Sequence, residues 1–148
     1  MTTETNSGWN HQRTIRDVTV GESIGPTWVD LSVQRLVMIA GANRDFAPMH
    51  HDPEIARATG APTAYANVMF VMTMMERTLL EWGGLRTRVR KLGPFRMIDF
   101  SRAGDTITCR GSVTDVDENA GTVDVDVWLE SNPDRRTAVG LATIALPA

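Results

Sequence analysis

Cysteine is nearly absent from this chain: Cys109 is the only one in 148 residues. A lone thiol excludes a disulfide framework within one chain and fits a reducing compartment, so a cytoplasmic location is expected. Lysine is as scarce, with Lys91 alone against fourteen arginines. No stretch of eighteen consecutive apolar residues exists to span a membrane as a helix. Histidine occurs three times, and no third ligand stands at a recognisable metal spacing from the adjacent pair His50-His51, so no metal is expected. The net charge of −3 gives no footing for general nucleic-acid binding.

What is present describes one folding unit. The chain is 42% hydrophobic and 22% charged, which suits a globular domain. Met1 to Gln12 is polar and reads as a tail, leaving residues 13–148 as the domain. Charge is distributed unevenly. Arg77 to Arg110 holds eight basic and three acidic residues, a local balance of +5, whereas Asp115 to Asp134 holds seven acids and no base. Arg86, Arg88, Arg90, Lys91 and Arg96 can be a solvated strand face. The sharper alternative is that they attract phosphate, which the planar guanidinium fork binds through two parallel hydrogen bonds.

Local patterns give the elements. Thr14 to Ile24 reads as a short strand and a turn, punctuated by Gly25-Pro26. Ser32 is an N-cap for a helix ending near Gly41. Asp52-Pro53 starts a second, short helix that stops at Gly60. From Val68 to Trp82 a third helix is apolar on almost every side of its first half, so it should be enclosed by protein. Thr87 to Leu92 and Phe95 to Phe100 read as two strands parted by Gly93-Pro94. Strict alternation through Thr106 to Val113 and Val123 to Glu130, then Thr137 to Leu146 beyond a turn at Asn132-Pro133-Asp134, gives an antiparallel meander. The fold class is therefore α+β, with a sheet wrapped on the third helix. Its open edges ask for a dimer.

Chemistry concentrates in Asp45-Phe46-Ala47-Pro48-Met49-His50-His51-Asp52. A carboxylate and an imidazole five positions apart across a proline can share one side of a loop and polarise a water. The plain alternative is that Asp45 caps the turn, Pro48 stiffens it and His50 satisfies a carbonyl. Asn67 and Val68 open the long helix, whose first N–H groups lack partners within it and can hold an oxyanion; Asn67 can also serve only as a cap. Cys109 falls on an apolar strand face and reads as structural.

Asp45 to His50 resembles the Asp-x-Asn-Pro-x-His signature of MaoC-like, R-specific enoyl-CoA hydratases, which have the hot-dog fold. His51-Asp52-Pro53-Glu54 with Ala56 and Gly60, the buried helix, Pro94-Phe95-Arg96, and Gly104-Asp105-Thr106-Ile107-Thr108 extend the likeness from about Val18 to Leu146. Arg44-Asp45-Phe46, His50-His51-Asp52, Asn67-Val68-Met69, Glu76-Arg77 and Glu81-Trp82 are similar to the catalytic subunit of heteromeric hydratases that act on steroid side-chain enoyl-CoA esters. The resemblance implies that Asp45 and His50 add water to a trans-2-enoyl-CoA, with the Val68 N–H polarising the thioester carbonyl. Coenzyme A enters only as part of the acyl-CoA substrate, with no separate cofactor. Asn67, Met69, Arg86, Arg88 and Arg96 are expected at the substrate, and the partner would be a second copy or a related hot-dog subunit. Two departures stand out: Val68 where the family has glycine, and Ala47 where it has asparagine. The rival readings are a hot-dog thioesterase and a non-catalytic helper subunit that binds acyl-CoA.

Overall fold

In the computed structural model the described residues are 9, 11–132 and 135–148. Most of the tail expected over 1–12, and Pro133-Asp134 of the expected turn, lie outside them. Gln12, at the tail's edge, is tied to the domain: its side-chain amide donates to the Gly83 carbonyl across 2.8 Å and accepts from the Arg86 N–H across 2.7 Å.

Five strands form one antiparallel sheet: β1 (Ser23–Asp30), β2 (Arg88–Met97), β3 (Thr106–Asp117), β4 (Thr122–Ser131) and β5 (Arg135–Ala145), in the order β1-β3-β4-β5-β2. Three helices precede the meander: α1 (Val33–Asn43), α2 (Pro53–Ala58) and α3 (Val68–Gly83). No helix among the described residues is long and apolar enough to cross a membrane. Alternation in β4 decides how the sheet faces. Val123, Val125, Val127 and Leu129 are fully buried, while Asp124 and Asp126 are exposed. Each such burial is worth roughly 1.5–3 kcal/mol. The buried face curls around α3, whose Phe70, Val71, Met74, Met75 and Leu79 join the same core. This is the hot-dog arrangement, a sheet wrapped on a long central helix.

Three local expectations need correction. Ile15 to Asp17 forms a 3-10 turn, and the first strand starts only at Ser23. That strand passes through Gly25-Pro26 instead of ending there. Likewise Arg88–Met97 is one strand through Gly93-Pro94, with Ile98 to Phe100 beyond its end. The reason is common to both: β1 and β2 are the two sheet edges, where a proline's missing N–H breaks no ladder. Each Gly-Pro sits in a register shift, between Ile24 and Thr27 in β1 and between Leu92 and Phe95 in β2. Gly25 and Gly93 take φ of +85° and +123° there, a region that suits glycine.

The helix starts follow their caps. Ser32 accepts from the Arg35 N–H, Asp52 from those of Glu54 and Ile55, and Asn67 from that of Phe70. The α3 helix is not enclosed on every side, however. Val68 and Met69, in its first turn, are 42% and 46% exposed.

Candidate active site

The site is assembled where three segments meet. Helix α1 ends as Arg44 turns left-handed (φ 55°, ψ 30°), and the Asp45 N–H then closes onto the Ala40 carbonyl. That reversal lifts Asp45 off the helix axis. Pro48 next opens a 3-10 turn, Pro48–His50, whose carbonyl takes the N–H groups of His51 and Asp52. The turn brings His50 back toward Asp45. A third segment, Ala64 to Ala66, leads into α3 and is held from behind. The Ala66 N–H donates to the Ser101 carbonyl, and the Ala103 N–H donates to that of Ala64.

Asp45 Oδ2 and His50 Nε2 stand 3.4 Å apart, with side chains 34% and 14% exposed. At that separation direct hydrogen bonding is weak, and the two groups can share a water. The other imidazole nitrogen, Nδ1, lies 2.9 Å from the Tyr65 carbonyl oxygen. A carbonyl oxygen only accepts, so Nδ1 carries the hydrogen. In the neutral ring Nε2 is then the free acceptor, and it points at Asp45. The Tyr65 ring adds an edge-on contact to the imidazole at 5.2 Å between centroids and is itself packed on Phe100 at 4.6 Å. The histidine orientation is thus fixed from two directions.

Asp45 is also held. Asn67 Nδ2 donates to its Oδ2 across 3.0 Å, and the Ala47 N–H approaches Oδ1 at 3.4 Å. The second contact orders the loop through the backbone at the position where the family signature carries a side-chain amide. At the start of α3, the N–H groups of Val68 and Met69 have no acceptor among the described residues. They are preorganised donors beside the pair.

The expected site residues divide into groups. Asp45, His50, Asn67, Val68 and Met69 come together. Asn67 is only 2% exposed and its amide faces Asp45 and the helix, so it touches the carboxylate rather than open space. Arg86 and Arg88 do not join them within one chain. They line a groove of about 520 Å³ with Leu85, Thr87, Arg90 and Pro147, beyond the far end of α3, which at 1.5 Å per residue is roughly 24 Å long. Arg96 lines a separate groove of about 530 Å³ on the outer face of the sheet, with Trp128, Arg136 and Leu141. None of these arginines has an ion-pair partner among the described residues. Two contributors escaped the sequence reading: the Tyr65 carbonyl and Asn43, whose Nδ2 donates to Asn67 Oδ1 across 3.2 Å.

Other reactive groups are accounted for. Burial pushes the Cys109 thiol up to about 12, so it stays protonated and inert at neutral pH. On α3, Glu81 accepts from Thr27 Oγ1 at 2.8 Å and from Arg77 at 2.7 Å. Among the described residues, no three His, Cys, Asp or Glu side chains converge to hold a metal ion.

Residues 16–132 match the MaoC-like domain. Over 90 residues the chain is 32% identical to the 3-oxo-4,17-pregnadiene-20-carboxyl-CoA hydratase beta subunit of Mycobacterium tuberculosis, covering 61% of this chain and 69% of that protein. It superposes on a chain of the ChsH1-ChsH2 complex from Mycobacterium tuberculosis with a TM-score of 0.80 at 24% identity, covering 87% of this chain and 98% of the other. The (R)-hydratase of A. caviae involved in PHA biosynthesis gives 0.81 at 18% identity, over 89% and 99% of the two chains. These structural likenesses establish the hot-dog fold.

Proposed function

Because the chain belongs to the MaoC-like domain family, we propose that it reversibly hydrates a trans-2-enoyl-CoA thioester to a 3-hydroxyacyl-CoA. The observation that carries this reading is the orientation of His50: its Nδ1 hydrogen is spent on the Tyr65 carbonyl, leaving Nε2 facing Asp45 Oδ2 at 3.4 Å.

In this reading a water sits between Nε2 and Oδ2. His50 takes its proton, the oxygen adds to C3, and the pair returns a proton to C2. Negative charge that develops on the thioester oxygen is met by the Val68 N–H, with Met69 N–H beside it. The Val68 side chain replaces the bare backbone of the family pattern, but the donor survives. Coenzyme A is part of the substrate and needs no companion cofactor.

The acyl group, on this proposal, is bulky and of steroid side-chain type. The relative's printed activity supports that class. So does the open apolar ground beside the pair, where Phe46, Val68 and Met69 are all exposed. Arg86, Arg88 and Arg96 stand in two grooves apart from the pair within this chain, so they are not assigned to the CoA of its own substrate. A second hot-dog subunit, a copy or a related chain, would cover the open side of α3 and close the acyl site. One relative carries the name of a beta subunit and one structural neighbour is a two-protein complex, which favours a related chain. A single buried, reduced thiol accords with work in the cytoplasm.

Loss of the enoyl-thioester absorbance band, with a polycyclic enoyl-CoA and a short straight-chain one compared, tests the reading. Hydration should be seen with the wild-type protein, alone or with its partner subunit, and kcat/KM should favour the polycyclic ester. Asp45→Asn and His50→Ala should each be silent. Release of free CoA thiol without loss of the double bond would identify a thioesterase instead. Glu81 on the helix, already held by Thr27 and Arg77, is poorly placed to drive that reaction.

A further inference from the structure

Asn67 was expected to touch substrate, yet it is enclosed and every polar atom of its side chain is engaged by the protein. Its Oδ1 accepts from the Phe70 N–H across 3.0 Å and from Asn43 Nδ2 across 3.2 Å. An N–H can only donate, so Oδ1 must face the helix, and Nδ2 is then compelled to point the other way, at Asp45 Oδ2. The oxygen that receives this bond is the one facing His50 Nε2. One buried amide therefore joins the end of α1, the start of α3 and the acid of the pair.

We infer that Asn67 is a positioning residue: the amide orientation imposed by the α3 cap fixes the rotation of Asp45 and aims its Oδ2 at the water that His50 activates. The inference rests on the hydratase reading for its consequence in catalysis, but its geometry does not. A side-chain amide donating to a carboxylate favours the charged, acceptor-only form and fixes its rotation. Asn43, on a different element, backs up the same orientation.

Two variants separate this role from simple helix capping. Asn67→Ser keeps a good cap residue but is too short to reach Asp45. Asn67→Asp keeps both cap and shape, and sets a second carboxylate oxygen where the donor was. The titratable and charged side chains on the segments that meet there are Arg35 and Arg44 at α1, His50, His51 and Asp52 on the loop, Glu54 and Arg57 on α2, Tyr65, whose ring meets His50 edge-on, and Glu76, Arg77 and Glu81 farther along α3; neither substitution replaces any of them.

Both variants are expected to stay folded, with a lowered melting temperature because each alters a buried, fully hydrogen-bonded amide, and activity is compared where both are folded. For Asn67→Ser, kcat falls about tenfold or more with KM little changed. For Asn67→Asp, two crowded carboxylates hold a proton more readily, so the acid limb of the kcat profile moves up by about one pH unit or more. The His50 titration midpoint, read by NMR of its ring protons, rises as well. That NMR measurement needs no substrate. An inactive wild-type protein would count against the hydratase reading while the titration still decides this inference. Unchanged His50 titration in Asn67→Asp, or an Asn67→Ser enzyme with wild-type kcat, would overturn it.

Discussion

The Tyr65 carbonyl oxygen accepts the Nδ1 hydrogen of His50 across 2.9 Å, and that single contact decides which imidazole nitrogen can take a proton. Tyr65 is not free to drift. Its neighbours Ala64 and Ala66 pair with Ala103 and Ser101, and its ring lies on Phe100. The segment on the far side is anchored in turn by Arg135, which donates to Asp99, the Phe100 carbonyl, Asp105 and Ser131. A strand-borne guanidinium thus steadies the wall against which the histidine is set.

The proposed oxyanion role of Val68 can be tested by deleting one hydrogen. Val68 is the first residue of α3, where proline is tolerated because its N–H is unused by the helix. Asn67 before it has an extended backbone (φ −80°, ψ 171°), the conformation that a following proline prefers. Val68→Pro should fold normally and lose about a hundredfold or more in kcat, as removal of one oxyanion donor does elsewhere. Val68→Gly should retain activity. Circular dichroism beside steady-state kinetics checks both.

Much of this site could be read before any coordinates. Ser32, Asp52 and Asn67 announce helix starts through the hydrogen-bonding power of their short side chains, and all three cap as expected. Asp45, Pro48 and His50 reveal themselves because a proline-stiffened loop limits where an acid and an imidazole can go. Gly25-Pro26 and Gly93-Pro94 misled for a physical reason: the pair ends a strand inside a sheet but is tolerated at an edge, and edge position depends on strand order. The Tyr65 carbonyl carries no residue signature, since every residue offers one. The clamp of Asn67 on Asp45 is likewise a matter of which way a capped amide is forced to face.

Cys109 gives a clean reporter of opening. Fully buried on the inner face of β3, with its thiol pushed up to about 12, it should resist thiol reagents in the folded protein at neutral pH. Labelling should track global unfolding, with rates that rise in denaturant as the cooperative transition is approached. Rapid modification without denaturant would contradict this packing.

The Arg135 network makes a prediction about acid. The hydrogen bond from Arg135 holds the Asp99 carboxyl below its ordinary value. A lowered folded-state value stabilises the protein above the unfolded carboxylate range, about pH 4, and that contribution fades as the pH falls through the folded value. Asp99→Asn should therefore be less stable than wild type at neutral pH, and the two should converge below about pH 4 in urea titrations. Because Asp99 is 39% exposed, the neutral-pH difference should be under about 1 kcal/mol. Arg135→Met also removes one partner of the more deeply buried Asp105, which keeps Arg102, and should destabilise the protein more than Asp99→Asn does.

The central claim is that Asp45 and His50 deliver water to a carbon–carbon double bond and leave the thioester whole. Incubation of the assembled protein with a polycyclic trans-2-enoyl-CoA in oxygen-18 water, followed by mass spectrometry of the products, tests it most directly. Heavy oxygen is expected at C3 of an intact hydroxyacyl-CoA, and not with Asp45→Asn or His50→Ala. Heavy oxygen in a free carboxylic acid with CoA released, or labelling that persists in both variants, would contradict it.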